Sequence, residues 1–266
     1  MEKNIINPNN EPDQEEDDDL IYNEKELMET EYVDLNPFED SQNIQYLIYG
    51  QYGHASAYLK VALYDEIKTN SKSFKGKFMQ YNKSDKKPKK LIAELYQFNT
   101  NNNKSSILIL PNKDFNIQNY KYISDFILNK FKVEGIVLFK QIYYTNVLSN
   151  KDKEVFKNKL FYLKNTYQNQ SNQLIPGDNL PLFNGATGFI SYMYTKSEFL
   201  EIPCVVYICS YSEYEVCLSN ISVFDKCGEC YSFLKDKLDN NKIKNRNVSF
   251  NDLVREYNSY KSGIFS

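Results

Sequence analysis

The sequence predicts an α/β fold in three layers, with a mixed central sheet between helices. Three observations carry that expectation. Short apolar runs rich in β-branched and aromatic residues recur at 44–50, 91–98, 105–110, 135–144 and 204–209. Between them lie stretches whose apolar residues repeat at helical spacing. The two kinds alternate along the chain, the order expected when helices cover both faces of a sheet.

Taken from the start, residues 1–43 hold 15 Asp and Glu against 2 Lys, a net charge of −13 in a chain of 266 residues whose total is −3. So acidic a segment, poor in large apolar residues, cannot bury enough surface to offset its chain entropy, and 1–43 is predicted to be a largely disordered leader. Its opening residues, MEKNIINPNNEPDQEEDDD, offer no apolar stretch of the kind a signal peptide needs. Ile44–Gly50 (IQYLIYG) reads as the first strand, and Gln51–Leu63, opened by small residues, as a helix. Thr69–Lys90 is dense in lysine and polar residues and reads as a surface insertion, a growth that loops tolerate because closure entropy rises slowly with length. Leu91–Phe98 and Ser105–Leu110, joined by an Asn-rich turn, read as adjacent strands.

Tyr120–Phe131 places Ile123, Phe126, Ile127 and Phe131 on one helical face. Gly135–Tyr144 (GIVLFKQIYY) is β-branched or aromatic almost throughout, a strand. Leu160–Leu163 reads as a weak strand, and Asn165–Asn179 as a loop ending in the turn pair Pro176-Gly177. A helix through Ala186, Phe189, Ile190 and Met193 should stop before Pro203, and Cys204–Cys209 (CVVYIC) should be a strand covered on both faces. Val223, Cys227, Cys230, Leu234 and Leu238 mark a striped helix over Ser222–Leu238, followed by a short helix at Phe250–Tyr257. The single domain is expected over 44–257, leaving 258–266 as a flexible tail.

Composition narrows the function. Histidine occurs once (His54), arginine twice (Arg246 and Arg255) and tryptophan never. That removes most histidine-based active sites and arginine phosphate clamps, and both glycine-rich phosphate-loop patterns are absent. The excess positive charge after residue 43, +10, is nearly all lysine without arginine–aromatic interleaving, so nucleic acid is not an expected partner. No apolar run is long enough to span a membrane. Cys227-Gly-Glu-Cys230 has redox spacing but joins a helical stripe, and zinc would need two further ligands, so the cysteines read as structural. No metal, cofactor or catalytic residue is expected, and a protein that is not an enzyme is the leading expectation. Two others stay open: an adaptor or subunit of some complex, and a phosphorylase- or hydrolase-like enzyme relying on His54.

One stretch carries a resemblance. Asn179–Phe224 runs from a small-residue helix containing Ser191-Tyr192 into the strand Ile202-Pro203-Cys204-Val205-Val206-Tyr207-Ile208-Cys209. With the end Ser262-Gly263-Ile264-Phe265-Ser266, it resembles the eukaryotic 20S proteasome α-ring assembly chaperones, in particular the proteasome assembly chaperone 1 family. The convincing part covers about 46 residues and the last five; the middle agrees in element order. The resemblance implies a three-layer sandwich distantly like nucleoside phosphorylases, without an active site. It implies a heterodimer with a related chaperone, proteasome assembly chaperone 2, acting on proteasome α subunits. It also implies residence in the cytoplasm, with the nucleus left open.

The terminus then gains a physical role. Chains that bind the proteasome often end in hydrophobic–tyrosine–any residue, inserted between neighbouring α subunits. Here Ile264 would be the hydrophobic anchor, Phe265 the aromatic one, and Ser266 would present the carboxylate, a combination of carboxylate capture and apolar burial. Phenylalanine in place of tyrosine forgoes a hydroxyl hydrogen bond, about 0.5–1.5 kcal/mol.

Overall fold

A computed structural model describes residues 28–234, except 37, 39–42, 65–66, 68–71, 83–87, 101–103, 169–174, 182–184, 213–216 and 232–233. The expected C-terminal anchors Ile264, Phe265 and Ser266, the helix expected at Phe250–Tyr257 and the first part of the expected acidic leader lie outside the described residues.

The strongest strand signals build the middle of the sheet. Leu47–Gly50 (β3) lies between Ser105–Pro111 (β6) and Ile136–Tyr143 (β8), parallel to both, and β8 is in turn parallel to Cys204–Tyr211 (β11). Each is covered on both faces, which is why each reads as a continuous apolar run. Alternate side chains go to opposite layers: Val205, Tyr207 and Cys209 to one core, Cys204, Val206 and Ile208 to the other. The strand expected over 44–50 is broken, because Asn43–Ile44 (β2) leaves to pair with Lys132–Val133 (β7) in a separate two-stranded ribbon.

One helical layer holds His54–Ala62 (α1) and the short Leu218–Ile221, packed with Ile48, Leu108, Val137 and Tyr207. The other holds Ile117–Lys130 (α2) and Gly188–Phe199 (α3), packed with Leu47, Ile107, Leu138 and Val206. The architecture is therefore the expected α/β/α sandwich around a mixed sheet. The start of α2 is fixed by reciprocal bonds: Asn119 N–H donates to Asn116 Oδ1 at 2.9 Å, and Asn116 N–H to Asn119 Oδ1 at 3.0 Å. Such a cap contributes about 1 kcal/mol.

Three further readings change. Met28–Asp34 (β1), inside the expected leader, is a strand paired antiparallel to Phe74–Asn82 (β4). Its Tyr32 packs against Phe78 and Phe126, with ring centroids at 5.2 and 4.4 Å, so one aromatic side chain anchors an otherwise acidic strand. Strand β4 itself falls within the expected lysine-rich insertion. It pairs with β1 on one side and with Pro88–Asn99 (β5) on the other, and buries Phe78 completely. Among the described residues nine strands then run in the order β1-β4-β5-β6-β3-β8-β11, followed by Lys159–Lys164 (β9) and Asp178–Asn179 (β10).

The third change is the striped helix. Ser222–Glu229 is a 3-10 helix, with three residues per turn. Phe224 and Cys227, three apart, point inward, followed by Tyr231 and Leu234. Val223 and Cys230, which an α-helical stripe would bury, are only half-buried. Tyr58 of α1 donates its hydroxyl to the Phe224 carbonyl at 3.1 Å and ties this segment down.

Candidate functional site

Strands β3, β6, β8 and β11 run in the same direction, so their C-terminal ends share one rim of the sheet. That rim is where open α/β sheets place ligand sites. On its α1 side, Gly53 carries the chain from β3 into the helix with φ of +109°, a conformation that glycine adopts readily. Gln141 of β8 clasps the turn: its Oε1 accepts from Ala55 N–H at 3.0 Å and its amide donates to the Tyr52 carbonyl. A Cβ on Gly53 would sit 2.7 Å from Gln141 Nε2.

His54 opens α1 and is 2 % exposed. Its ring stacks on Tyr211 at 4.3 Å, and its Nε2 lies 3.3 Å from the Asn220 side-chain amide nitrogen. The only histidine of the chain therefore serves as packing between α1 and the end of β11 rather than facing a cleft. Lys140, also on this rim, is equally buried and donates to the Gly185 carbonyl at 2.8 Å, while burial lowers the pKa of its ammonium.

The α2/α3 side of the rim holds a cavity of about 130 Å³ between the end of β3 and the first turns of α2 and α3. Tyr49, Phe115, Tyr120 and Phe189 form its aromatic wall, with centroid separations of 4.8 Å for Tyr49–Phe189 and 5.1 Å for Phe115–Phe189. Asp114, Gln51 and Thr187 supply its polar atoms. Partial desolvation raises the pKa of the Asp114 carboxyl, although the residue is exposed at the cavity mouth. Nothing in the sequence singled out Asp114, which follows β6 in an otherwise plain Pro-Asn-Lys-Asp turn.

Two further surface features lie on α2 and at the end of α3. An open groove of about 560 Å³ runs along the outer face of α2, lined by Lys121, Tyr122, Asp125, Phe126 and Lys130. At the end of α3, Phe199 is 83 % exposed, with Leu200 beside it about half exposed. Asn165, read only as the start of a polar loop, is a buried hub. Its Oδ1 accepts from Gln168 N–H at 2.9 Å and Cys204 N–H at 3.0 Å, and its Nδ2 donates to the Ile202 carbonyl at 2.8 Å and Ser197 Oγ at 3.2 Å. It thereby locks the end of β9 to the end of α3 and the start of β11.

Of the five cysteines, Cys204, Cys209 and Cys227 are buried, while Cys217 and Cys230 are half-buried. Among the described residues no group of three or more His, Cys, Asp or Glu is placed to hold a metal ion, and no helix is long and apolar enough to cross a membrane.

No protein-family model matches the sequence, and no curated protein matches it. Solved structures do match the fold. An archaeal homolog of proteasome-assembly chaperone from Pyrococcus furiosus, PbaA, superposes with a TM-score of 0.54 at 9% identity, over 88% of this chain and 99% of that one. A protein of unknown function from Thermoplasma acidophilum gives 0.50 at 9% identity over 86% and 93% of the two chains. An archaeal proteasome activator from Pyrococcus furiosus, PbaB, gives 0.50 at 10% identity over 89% and 97%. The likeness is one of fold, and it extends over nearly the whole of each neighbour.

Proposed function

We propose that this chain is a non-enzymatic chaperone of 20S proteasome α-ring assembly, acting as a heterodimer with a second, related chaperone of the proteasome assembly chaperone 2 kind. The observation that carries the reading is the shared fold with the archaeal chaperone homolog, over 88% of this chain and 99% of that one. It coincides with a resemblance reached independently from Asn179–Phe224 and the terminus. In this reading Ile264, Phe265 and Ser266 enter a slot between α subunits, and tethering to the body makes a weak tail contact effective. In this reading the chain acts in the cytoplasm, with the nucleus left open. The enzyme reading loses its one catalytic candidate, since His54 is stacked and buried rather than presented to a substrate.

Likeness to the archaeal proteasome activator favours a second reading, in which the chain acts on the finished particle. One experiment separates the two. The full chain and a version ending at Gly263, both tagged at the N-terminus, are recovered from native lysate and analysed by mass spectrometry. Assembly predicts α subunits with one related chaperone and few mature β subunits, and α subunits depleted by the truncation. Recovery of complete 20S particles with altered peptidase activity favours the activator. Absence of α subunits from both samples overturns both readings.

A further inference from the structure

The cavity beside α3 has a chemistry that the assembly reading does not use. Its wall is a cluster of aromatic rings, and its polar groups include the Asp114 carboxyl and the Gln51 side-chain oxygen. Gln51 Oε1 is buried and accepts no hydrogen bond in the structure. Asp114 is exposed at the cavity mouth, and partial desolvation by the protein around it raises the pKa of its carboxyl. The nearby lysines are otherwise engaged: Lys113 donates to Gln80 Oε1 at 2.8 Å, and Lys140 to the Gly185 carbonyl. The site therefore offers a negative charge and a spare acceptor against aromatic faces. Those are the elements that recognise an organic cation: a carboxylate for its charge, a carbonyl for its N–H, and π faces for its alkyl stem.

The opposing term is the start of α3, whose backbone N–H groups present about half a positive charge. The start of α2 borders the cavity as well and adds a similar contribution, so the Asp114 carboxylate brings the site to about neutral, and the spare Gln51 oxygen, which takes an N–H donor but not an anion, sets the preference for a cation. Size is also informative. At about 130 Å³ the cavity is close to the ~150 Å³ engineered cavity that takes benzene, which suits an ammonium or guanidinium on a short alkyl chain and little more.

We propose that the cavity bounded by Asp114, Gln51, Tyr49, Tyr120 and Phe189 is a binding site for an alkylammonium or alkylguanidinium group. The group comes either from a free small amine or from a lysine or arginine side chain of a bound protein. The site stands independently of the role in proteasome assembly.

The test uses the full chain, labelled with ¹⁵N and titrated with butylammonium chloride, with sodium butyrate as the charge-reversed control of similar size. Saturable shifts confined to the amides of Gln51, Asp114 and Thr187–Ile190 are expected with butylammonium and not with butyrate. Asp114→Asn, at a position without a partner to lose, should weaken binding at least tenfold while leaving the rest of the spectrum in place. Gln51→Ala should weaken it several-fold and serves if the first variant perturbs the fold. Nα-acetyl-lysine methylamide distinguishes the sources. Binding as tight as butylammonium assigns the site to a protein side chain, and exclusion of the bulkier probe assigns it to a free amine. No saturable response, an equal response to butyrate, or unchanged affinity in Asp114→Asn would overturn the proposal.

Discussion

Replacing Phe78 by alanine is the sharpest test of the fold, because this residue decides whether the lysine-rich segment is an appendage or part of the core. Phe78 is fully buried in the core beneath α2, and its ring meets Tyr32 at 5.2 Å and Phe126 at 5.5 Å. Deleting a buried phenylalanine ring costs about 3–5 kcal/mol. Aromatic pairs contribute about 0.5–1.5 kcal/mol beyond area, so the upper half of that range is expected here. At about 2–4 °C per kcal/mol for a domain of this size, the melting temperature should fall by roughly 8–20 °C. Thermal unfolding followed by circular dichroism, with urea unfolding as a second measure, reads the change. Lys77→Ala, at the adjacent half-buried position, should stay within about 0.5 kcal/mol and serves as the control. A loss below about 1 kcal/mol for Phe78→Ala would refute the placement of β4 inside the sheet and restore the surface insertion.

Asn165→Asp keeps the size but replaces two N–H donors by acceptors facing the Ile202 carbonyl and Ser197 Oγ; a loss of about 2–4 kcal/mol in urea unfolding is expected, and a neutral change would remove Asn165 as a hub. Gly53→Ala should cost at least about 1 kcal/mol, from a disfavoured φ and from the approach to Gln141, and retained stability would mean that the turn relaxes. In the native protein a thiol reagent should modify Cys217 and Cys230 alone, while Cys204, Cys209 and Cys227 wait for unfolding; five equal rates would contradict their burial. Burial pushes the Cys204 thiol from 9.0 up to about 12, so the folded state keeps a proton that the unfolded state releases first. The resulting stability is complete below about pH 9 and is lost as the pH rises toward about 12; Cys204→Ala should show a shallower alkaline decline in urea midpoints, and an identical decline would contradict the assignment.

What could be read in advance follows from how each segment earns its stability. Strands β8 and β11 and the helices α2 and α3 are stabilised by their own apolar residues, so pattern alone finds them. Strand β1 is stabilised by its partner. In METEYVD the acidic residues dominate, and only pairing with β4 and the seat for Tyr32 make a strand of it. In β4 the lysines at 75 and 77 obscure a period-two pattern that register shifts near Phe74, Phe78 and Gln80 further break. The stripe over Ser222–Glu229 has a different pitch from the one its pattern suggests, because Cys227 fits both the four-residue step from Val223 and the three-residue step from Phe224. The rim cavity was illegible for a different reason: Asp114, Gln51 and Thr187 are far apart in sequence, and only the crossover between parallel strands brings them together.

The position of β3 bears on how the chain is made. This four-residue strand sits at the centre of the sheet, and both neighbours come later in the chain: β6 ends at Pro111 and β8 at Tyr143. The layer under α1 takes Phe224, Tyr231 and Leu234 from beyond β11, and β11 itself ends about 160 residues after Gly50. At about 5–20 residues per second, a ribosome takes roughly 8–32 s to deliver it. The β4-β5-β6 meander can pair as it emerges, because each strand adjoins the next in sequence. Throughout that interval Leu47–Tyr49 and the apolar face of α1 belong to a nascent chain whose covering layers are still incomplete. A protein proposed to act in the assembly of another particle thus passes through a stage of its own synthesis in which its apolar surfaces lie open to premature contacts.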